Sequence, residues 1–300
     1  MKHLLSIEQL SAEEIREVIR LTRTMKAERG KPPKHLPLAG QSWGLIFTKA
    51  STRTRVSFEV GIRELGGWPL YLSGNDIQLG RGETVADTAR VLSRYLRGVI
   101  IRTFAQEDVE EFAACGTIPV INALTDDEHP CQILADLFTI EEKLGSLEGK
   151  RITFVGDGDC NVARSWIFAA AKMKMPLTIA APRGYQPRAA LLERAGGDVR
   201  VTEDILAAAK DADVLYTDVW VSMGKESESV DRLRVLAPYQ LNADVAARAK
   251  PAALVMHCLP AYRGKEISAE LLDARQQDIF DQAENRLHAQ KAILTLLAKA

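Results

Sequence analysis

Three features that would indicate particular classes of protein are missing from the sequence. It has four cysteines, widely spaced and without a CxxC pair, which argues against a disulfide framework and against a cysteine-based structural zinc site. The net charge of -1 provides no general attraction to nucleic acid or to an anionic membrane, so any positive site has to be local. No apolar run approaches the length of a membrane span.

The remaining composition is that of an ordinary globular protein. Of the 300 residues, 46% are hydrophobic and 26% are charged, which is enough apolar material for a large core and usually for two domains. The first residues, MKHLLSIEQLSAEEI, lack the apolar core of a signal peptide. We therefore expect a cytoplasmic enzyme with reduced thiols.

Helical and strand-like patterns alternate along the chain, which predicts an α/β fold. A long helical segment, HPCQILADLFTIEEKLG, ends at Gly145 and is followed by the polar joint SLEGK, after which the alternation resumes. We expect two doubly wound parallel-sheet domains joined by interdomain helices. Their predicted ranges are 1–145 and 146–283, with a C-terminal helix over 284–300 that packs back on the first domain.

The stretch FTKASTRTR places hydroxyl side chains and arginines at the start of a predicted helix. A helix N-terminus has unpaired N–H groups and a partial positive charge, and a guanidinium group matches the oxygens of phosphate. The stretch therefore predicts an anion site. The alternative interpretation is a helix cap with solvated arginines.

Polar side chains also follow other predicted strands of the first half. Arg102 ends a strand, and His129 and Gln132 are spaced so that they share one face of a helix. Ligands of parallel sheets bind at the carboxyl ends of the strands. Together with the helix start, these residues predict a site for a small phosphorylated molecule with a carbonyl or amide end. His129 alone is equally compatible with a helix-start residue satisfied by its own hydrogen bond.

The second half has two comparable strand ends. Asp218 follows an apolar strand and precedes Ser222 and Met223 in a short polar loop, where its carboxylate would attract a cationic amine or only cap a turn. His257 and Cys258 follow another apolar strand, although a buried cysteine is commonly just a small hydrophobic residue. Asp218 is therefore a candidate for binding an amine, and His257 and Cys258 place a titratable imidazole and a thiol at another strand end.

The turn GDGDC raises the alternative of a dinucleotide site. Gly156 and Gly158 follow a strand and precede a helix, but Asn161 stands where the third glycine of that motif is expected. The next strand, PLTIAAP, ends without the acidic residue that would bind a ribose hydroxyl. We therefore expect no nicotinamide cofactor.

Taken together, the motifs resemble the aspartate and ornithine carbamoyltransferase superfamily, and within it the ornithine carbamoyltransferases, over nearly the whole chain. FTKASTRTRVSFE is similar to the family's carbamoyl phosphate signature, HPCQ to HPxQ, DVWVSMG to DxxxSMG, and HCLP to HCLP, with ENR near the C-terminus. The resemblance implies carbamoyl transfer from carbamoyl phosphate to the δ-amine of L-ornithine, giving L-citrulline and phosphate in arginine metabolism, with no metal and no cofactor.

The resemblance also implies roles for individual positions. The positions that match carbamoyl phosphate contacts are Ser51, Thr52, Arg53, Thr54, Gln78, Arg102, His129, Gln132, the Leu259 backbone and Arg286. The positions that match ornithine contacts are Asn161, Asp218, Ser222, Met223 and Cys258. Catalytic roles are implied for Arg102, His129, Asp218 and Cys258. The chain departs from the family pattern at Cys160, where Asn is frequent, and at Arg164, where Asn or His is frequent.

Alternatives remain within and outside this enzyme class. Aspartate-specific relatives lack the SMG sequence, which favours ornithine, and a carbamoyltransferase for an N-acylated ornithine or putrescine is the nearest alternative. A binding protein that kept the fold and the anion site is another. The resemblance further implies a homotrimer or a multiple of trimers with active sites between subunits, in which a neighbouring chain contributes Gln78. We expect no nucleic-acid or membrane partner.

Overall fold

The computed structural model describes residues 1–32, 35–74, 82–222, 224 and 226–299. Its internal contacts divide the chain into unit 1, Met1–Phe138 with Asn285–Ala300, and unit 2, Thr139–Glu284. Helices α5 (Pro130–Leu144) and α12 (Gln276–Leu297) each include residues of both units. The domain limits expected from the sequence stay a prediction.

Unit 1 contains a four-stranded parallel sheet in the order β2-β1-β3-β4. The strands are β1 (Ser42–Phe47), β2 (Trp68–Ser73), β3 (Gly98–Arg102) and β4 (Val120–Leu124). The helices that lie wholly in this unit are α1 (Ala12–Glu28), α2 (Thr52–Glu64), α3 (Val85–Leu92) and α4 (Gln106–Cys115). The central strand β3 is buried along its whole length, as expected for a parallel strand covered on both faces.

A close approach between strands β1 and β3 shows how tightly this sheet is packed. Trp43 is fully buried and lies opposite Gly98 in the register of the two strands. A Cβ atom at Gly98 would lie 2.3 Å from the indole ring, so only glycine leaves room for the ring there. The indole thereby fills the space at the start of strands β1 and β3.

Unit 2 contains a five-stranded parallel sheet in the order β7-β6-β5-β8-β9. The strands are β5 (Ile152–Val155), β6 (Leu177–Ala180), β7 (Val199–Thr202), β8 (Val214–Thr217) and β9 (Leu254–His257). The helices are α6 (Asn161–Met173), α7 (Ala189–Ala195), α8 (Ile205–Ala209), α9 (Ser229–Leu236), α10 (Ala243–Ala246) and α11 (Ala269–Ala274). Two short 3-10 turns cover Glu226–Glu228 and Ala237–Tyr239.

The observed architecture confirms the predicted fold class. Both units are α/β, and every strand pair in the two sheets is parallel. In the part of the chain that the structure describes, no helix combines the length and the apolar character needed to cross a membrane.

Candidate active site

In unit 1, three strands end side by side at one edge of the sheet. Phe47 of β1 lies opposite Arg102 of β3, and Arg102 lies opposite Leu124 of β4. The chain continues from β1 into the helix start of α2 and from β4 into the HPCQ segment that begins α5. The predicted anion-binding motifs therefore leave the sheet at the same edge.

The start of α2 combines a side-chain cap with free helix-start donors. Ser51 is the cap, and its Oγ accepts the backbone N–H of Thr54 at 3.2 Å. The N–H groups of Thr52 and Arg53 in the same turn have no partner within the helix. Thr54 is buried and Arg53 is exposed. The cap and the anion site that the sequence left as alternatives are thus compatible, because capping uses only part of the turn.

Arg286 of α12 connects the start of α2 with α5. Its guanidinium group donates to Oε1 of Gln132 at 2.5 Å and to Oγ1 of Thr54 at 3.4 Å. The amide of Gln132 in turn donates to Asp136 Oδ1 at 2.8 Å. Arg286, Gln132 and Thr54 are all buried. Three predicted carbamoyl phosphate residues from distant parts of the sequence therefore lie in one hydrogen-bonded group.

His129 is a neutral group among positive charges. Its side chain is buried, and burial is the largest cause that holds its pKa well below the usual 6.5. The charges of Arg286, Arg102 and Arg53 lower the pKa further, in that order. The imidazole is therefore uncharged at neutral pH, while the three guanidinium groups near it carry positive charge. Such a region suits a small dianion.

Lys49 is a buried cation at the same edge that the sequence analysis did not select. It is only 5% exposed, forms an ion pair with Asp126, and its Nζ lies 4.0 Å from the centroid of the Phe104 ring. These three residues follow β1, β4 and β3, so Lys49 ties together the segments that leave the sheet. Its position inside FTKASTRTR was the available signal.

In unit 2, three neighbouring strands also end in register. Val155 of β5 lies opposite Thr217 of β8, and Thr217 lies opposite His257 of β9. The next residues along the chain lead to Asn161, Asp218 and Cys258, respectively. The predicted amine-binding residues thus leave the sheet from adjacent strands.

Asp218 and Cys258 are in direct contact. The Cys258 thiol donates to Asp218 Oδ1 at 2.9 Å, and the same oxygen accepts the backbone N–H of Val219 at 2.7 Å. Burial is the main cause that raises the pKa of the Asp218 carboxyl above its usual value, against the lowering effects of His257, Cys258 and Val219. A buried carboxylate of this kind can bind a cation, because a positive ligand would replace the lost hydration.

His257 positions the backbone beside Cys258. Its Nδ1 accepts the backbone N–H of Leu259 at 2.8 Å, which places the ring hydrogen on Nε2, and Nε2 lies 3.1 Å from Oε1 of Glu266. Both side chains are fully buried. No role follows for His257 from the sequence alone, and Glu266 stands in a segment whose sequence is typical of a solvated turn.

The donor atoms of Asp218, His257 and Cys258 lie within 4.8 Å of one another, as the ligands of a metal would. The hydrogen bonds of the cluster already account for this proximity, because Nδ1 of His257 is engaged by Leu259 and Nε2 by Glu266. The expectation that no metal takes part stays a prediction.

The two departures from the family pattern both stabilise the turn before Asn161. Cys160 caps α6, with its sulfur 3.5 Å from the N–H of Ala163, and Arg164 pairs with Asp159 at 3.0 Å. Asn161 is the first residue of α6. The Asp218 charge contributes to raising the pKa of Cys160, after burial, which shows that this turn lies near the carboxylate.

The remaining predicted residues differ in what the structure describes of them, and the backbone N–H of Leu259 is already engaged by His257. Ser222 is partly exposed and follows Asp218 in the loop after β8, and Leu259 lies next to Cys258 in unit 2. Gln78 and Met223 lie outside the described residues.

Two family models match the chain, one on each half. The model described as "Aspartate/ornithine carbamoyltransferase, carbamoyl-P binding domain" matches residues 2–142. The model described as "Aspartate/ornithine carbamoyltransferase, Asp/Orn binding domain" matches residues 148–297. Between them they account for nearly the whole sequence.

Full-length relatives and solved structures give the same result. An ornithine carbamoyltransferase of Akkermansia muciniphila is 54% identical, covering 100% of this chain and 99% of the relative, and one of Syntrophus aciditrophicus is 53% identical, covering 99% of each. The solved structure of ornithine carbamoyltransferase from Pyrococcus furiosus is similar with a TM-score of 0.94 and 45% identity, covering 100% of this chain and 97% of that one. The anabolic enzyme of Campylobacter jejuni gives a TM-score of 0.93 and 38% identity, covering 100% and 99%.

Proposed function

The chain belongs to the aspartate/ornithine carbamoyltransferase family, and we propose that its residues carry out carbamoyl transfer in the following way. The protein is a carbamoyltransferase that transfers the carbamoyl group of carbamoyl phosphate to the δ-amine of L-ornithine. The products are L-citrulline and phosphate, within arginine metabolism. Unit 1 supplies the groups for carbamoyl phosphate, and unit 2 supplies those for ornithine.

The observation that carries the assignment of unit 1 is the set of three guanidinium charges around a neutral His129. In our proposal the start of α2, with Ser51, Thr52, Arg53 and Thr54, binds the phosphate. Arg102, His129 and Gln132 hold the carbamoyl end, and Arg286 reaches the same substrate. A neutral imidazole can donate one hydrogen bond to the carbamoyl oxygen without adding a further charge.

These donors act on the charge that develops during the reaction. As the amine attacks, negative charge grows on the carbamoyl oxygen and on the departing phosphate. Donors that are already fixed by packing stabilise this charge more in the transition state than in the ground state. The buried hydrogen bonds of Arg286 to Gln132 and Thr54 provide such fixation.

For the amine we propose that Asp218 and Cys258 orient the δ-nitrogen. An alkylamine with a pKa of about 10.4 is only about 0.1% neutral near pH 7.4, so the neutral form is scarce. A carboxylate beside an ammonium group favours the charged form, so Asp218 contributes to binding and opposes deprotonation. The raised pKa of Asp218 weakens that opposition, because a more basic carboxylate accepts a proton more readily.

The proton balance of the reaction is closed by the leaving group. The ammonium first loses a proton to solvent, and the neutral nitrogen then forms a bond to the carbamoyl carbon while the bond from that carbon to the phosphate oxygen breaks. The nitrogen gives up one further proton, and the departing phosphate accepts it. No oxidant, reductant or metal is needed for this balance.

The stoichiometry of the reaction tests this proposal. Purified protein with carbamoyl phosphate and L-ornithine should form citrulline and phosphate in a ratio of one to one, above the rate of spontaneous carbamoyl phosphate breakdown. Release of phosphate without citrulline would show that the protein binds and hydrolyses the acyl phosphate without using ornithine as the acceptor, and would contradict the proposal.

We further propose that the protein is a homotrimer or a multiple of trimers, to which Gln78 of a neighbouring copy contributes. The proposal is supported by exposed apolar side chains on the edge strand β2 of unit 1, where Trp68 is 65% and Leu70 46% exposed. Light scattering should give three times the 33.1 kDa of one chain, or a multiple of that mass. A monomer or dimer at micromolar concentration would contradict it.

A cytoplasmic location is also proposed, on the basis of the cysteines. All four lie in the described part of the chain and are thiols. Burial raises the pKa of Cys131 to about 12, and that of Cys160 well above its usual value, so both are inert. Free thiols of this kind are typical of a reducing compartment, and fractionation of the native cells would test the location.

A further inference from the structure

Arg232 of α9 is a buried cation that contacts two different loops at the carboxyl edge of the unit 2 sheet. Its Nε donates to the backbone oxygen of Trp220 at 2.6 Å, and one terminal nitrogen pairs with Asp157. The other terminal nitrogen lies 3.4 Å from Glu228, and the guanidinium carbon lies 4.9 Å from the centroid of the Tyr185 ring. Arg232 is only 4% exposed.

The two loops are those that carry the residues assigned to the amine. Trp220 lies between Asp218 and Ser222, so the bond to its carbonyl group fixes the middle of the loop that follows β8. Asp157 lies in the turn that leads from β5 to Asn161. Because β5 and β8 are adjacent, Arg232 spans the gap between two neighbouring loops and holds them at one separation.

Asp157 transmits this contact into its own turn. One of its oxygens pairs with Arg232, and the other accepts the backbone N–H of Asp159 at 3.1 Å. Asp157 is itself 5% exposed, so neither charge of the pair is solvated. The position of the turn before Asn161 is therefore coupled to the position of the guanidinium group.

The energetics of such a pair favour a role beyond stability. A buried ion pair gains little net stability over an apolar substitute, because desolvation offsets the attraction of the charges. What arginine provides in addition is a planar fork that directs several hydrogen bonds at once, which lysine does not. On the same helix Arg234 has a side chain that is 75% exposed and pairs with the exposed Asp231. It is an ordinary surface arginine and a matched control.

We propose that Arg232 is a positioning residue for the amine substrate. It holds the loop of Asp218 and Ser222 at a fixed position relative to the turn that leads to Asn161. It acts through these loops and does not touch the reacting atoms. This inference rests on the proposed function of unit 2, because it concerns the placement of the residues assigned there to ornithine.

The test compares Arg232→Lys and Arg232→Gln with Arg234→Lys and Arg234→Gln in the full-length protein, well below the unfolding temperature of each variant. We measure kcat and KM for ornithine and for carbamoyl phosphate, and the preference for ornithine over lysine. Small misplacements of reacting groups can cost on the order of 100-fold in rate, so we expect Arg232→Gln to lower kcat/KM for ornithine about 10- to 100-fold. The KM for carbamoyl phosphate should change less than about twofold, as expected when uniform binding of that substrate is kept.

Selectivity and conservative replacement separate positioning from stability. When the two loops are no longer held at their normal separation, the preference for ornithine over the longer lysine should fall together with kcat/KM for ornithine. Arg232→Lys keeps the charge opposite Asp157, but its single ammonium group cannot also bind the backbone oxygen of Trp220 in the same geometry. We therefore expect kcat/KM and selectivity for ornithine that lie between those of Arg232→Gln and the wild type. A folded Arg232→Gln protein with the ornithine KM and the selectivity of Arg234→Gln would overturn the inference.

Loss of a buried charge partner can prevent folding, and Asp157→Asn provides a second route. This variant keeps the shape of the side chain and weakens the attachment of the turn to Arg232. Its selectivity for ornithine over lysine should therefore fall, but less than in Arg232→Gln. If Arg232→Gln is insoluble, wild-type selectivity in both Asp157→Asn and Arg232→Lys would overturn the inference. If the wild-type protein itself forms no citrulline, the proposed function fails, and that result is distinct from a wild-type enzyme whose Arg232 variants behave as the Arg234 controls.

Discussion

The thiol of Cys258 donates a hydrogen bond of 2.9 Å to Oδ1 of Asp218, and this bond joins the ends of two adjacent strands. The Asp218 carboxyl is buried at the edge of the unit 2 sheet, and burial raises its pKa even though the bond from Cys258 lowers it. Keeping a charge in such a place costs free energy unless a cation binds there. The buried Asp218 carboxylate therefore links the free energy of unfolding of the protein to the binding of a cationic amine.

Replacement of Asp218 should impair the use of ornithine selectively. Asp218→Asn removes the charge that attracts the ammonium group, and loss of a buried charge partner is typically worth about 2 kcal/mol or more, so kcat/KM for ornithine should fall at least about 30-fold. Calorimetry should show carbamoyl phosphate bound as in wild type. Asp244→Asn, at an exposed position of α10, is the control. Equal weakening of both substrates would remove the proposed role of Asp218.

The same substitution should stabilise the protein without ligands. The pKa of Asp218 is raised in the folded state by burial, so the folded protein binds its proton before the unfolded chain does as the pH falls. The cost of the charged form is thus present in full above the folded pKa and disappears as the pH falls towards 3.8. We expect Asp218→Asn to raise Tm at pH 7.5 and to raise it less at pH 4.5. A lower Tm than wild type at pH 7.5 would contradict this account of the carboxylate.

Arg53 should matter for carbamoyl phosphate and not for ornithine affinity. Arg53 lies in the first turn of α2, and a hydrogen bond to a charged group contributes about 1.5–3 kcal/mol. Arg53→Ala should therefore lower kcat/KM for carbamoyl phosphate by about 10- to 100-fold or more. Arg63→Ala, in the exposed last turn of the same helix, should leave it unchanged. A near wild-type rate in Arg53→Ala at subsaturating carbamoyl phosphate would count against the anion site.

The pH dependence of the two substrates should differ. His129 has a pKa well below 6.5, because of burial and then of the charges of Arg286, Arg102 and Arg53, so it stays neutral throughout the range above pH 6.5. We expect kcat/KM for carbamoyl phosphate to be flat between pH 7 and 8.5. Over the same range kcat/KM for ornithine should rise nearly tenfold per pH unit, since the neutral amine increases towards its pKa of about 10.4. A loss of carbamoyl phosphate affinity through this range would show that His129 binds it as a cation.

Most residues of the candidate site could be selected from the sequence because their chemistry and their place in the pattern agree. Ser51, His129, Asp218 and Cys258 all follow apolar runs that read as strands, and parallel strands bring such positions to one edge of a sheet. For these residues the local sequence pattern is sufficient for the prediction, because the parallel sheet brings the ends of its strands together. The class of fold followed from the same alternation of strands and helices.

The supporting groups could not be selected in this way. In DRLRVL nothing distinguishes Arg232, which is buried, from Arg234, which is exposed, because the difference arises from contacts with Asp157 and Trp220 elsewhere in the chain. Glu266 likewise becomes a partner of His257 only through the packing of a distant segment. Helix α12 begins at Gln276, earlier than the predicted start at 284, because polar residues in its first turns hid its periodicity.

The identity of the acceptor is the central claim, and a competition experiment tests it most directly. L-Ornithine, N-acetylornithine, putrescine and L-aspartate are supplied together at equal concentration with saturating carbamoyl phosphate, and the carbamoylated products are quantified by mass spectrometry. The account predicts that citrulline is the dominant product and that Asp218→Asn reduces it. Preferential formation of carbamoylputrescine, N-acetylcitrulline or carbamoylaspartate by the wild-type protein would contradict it.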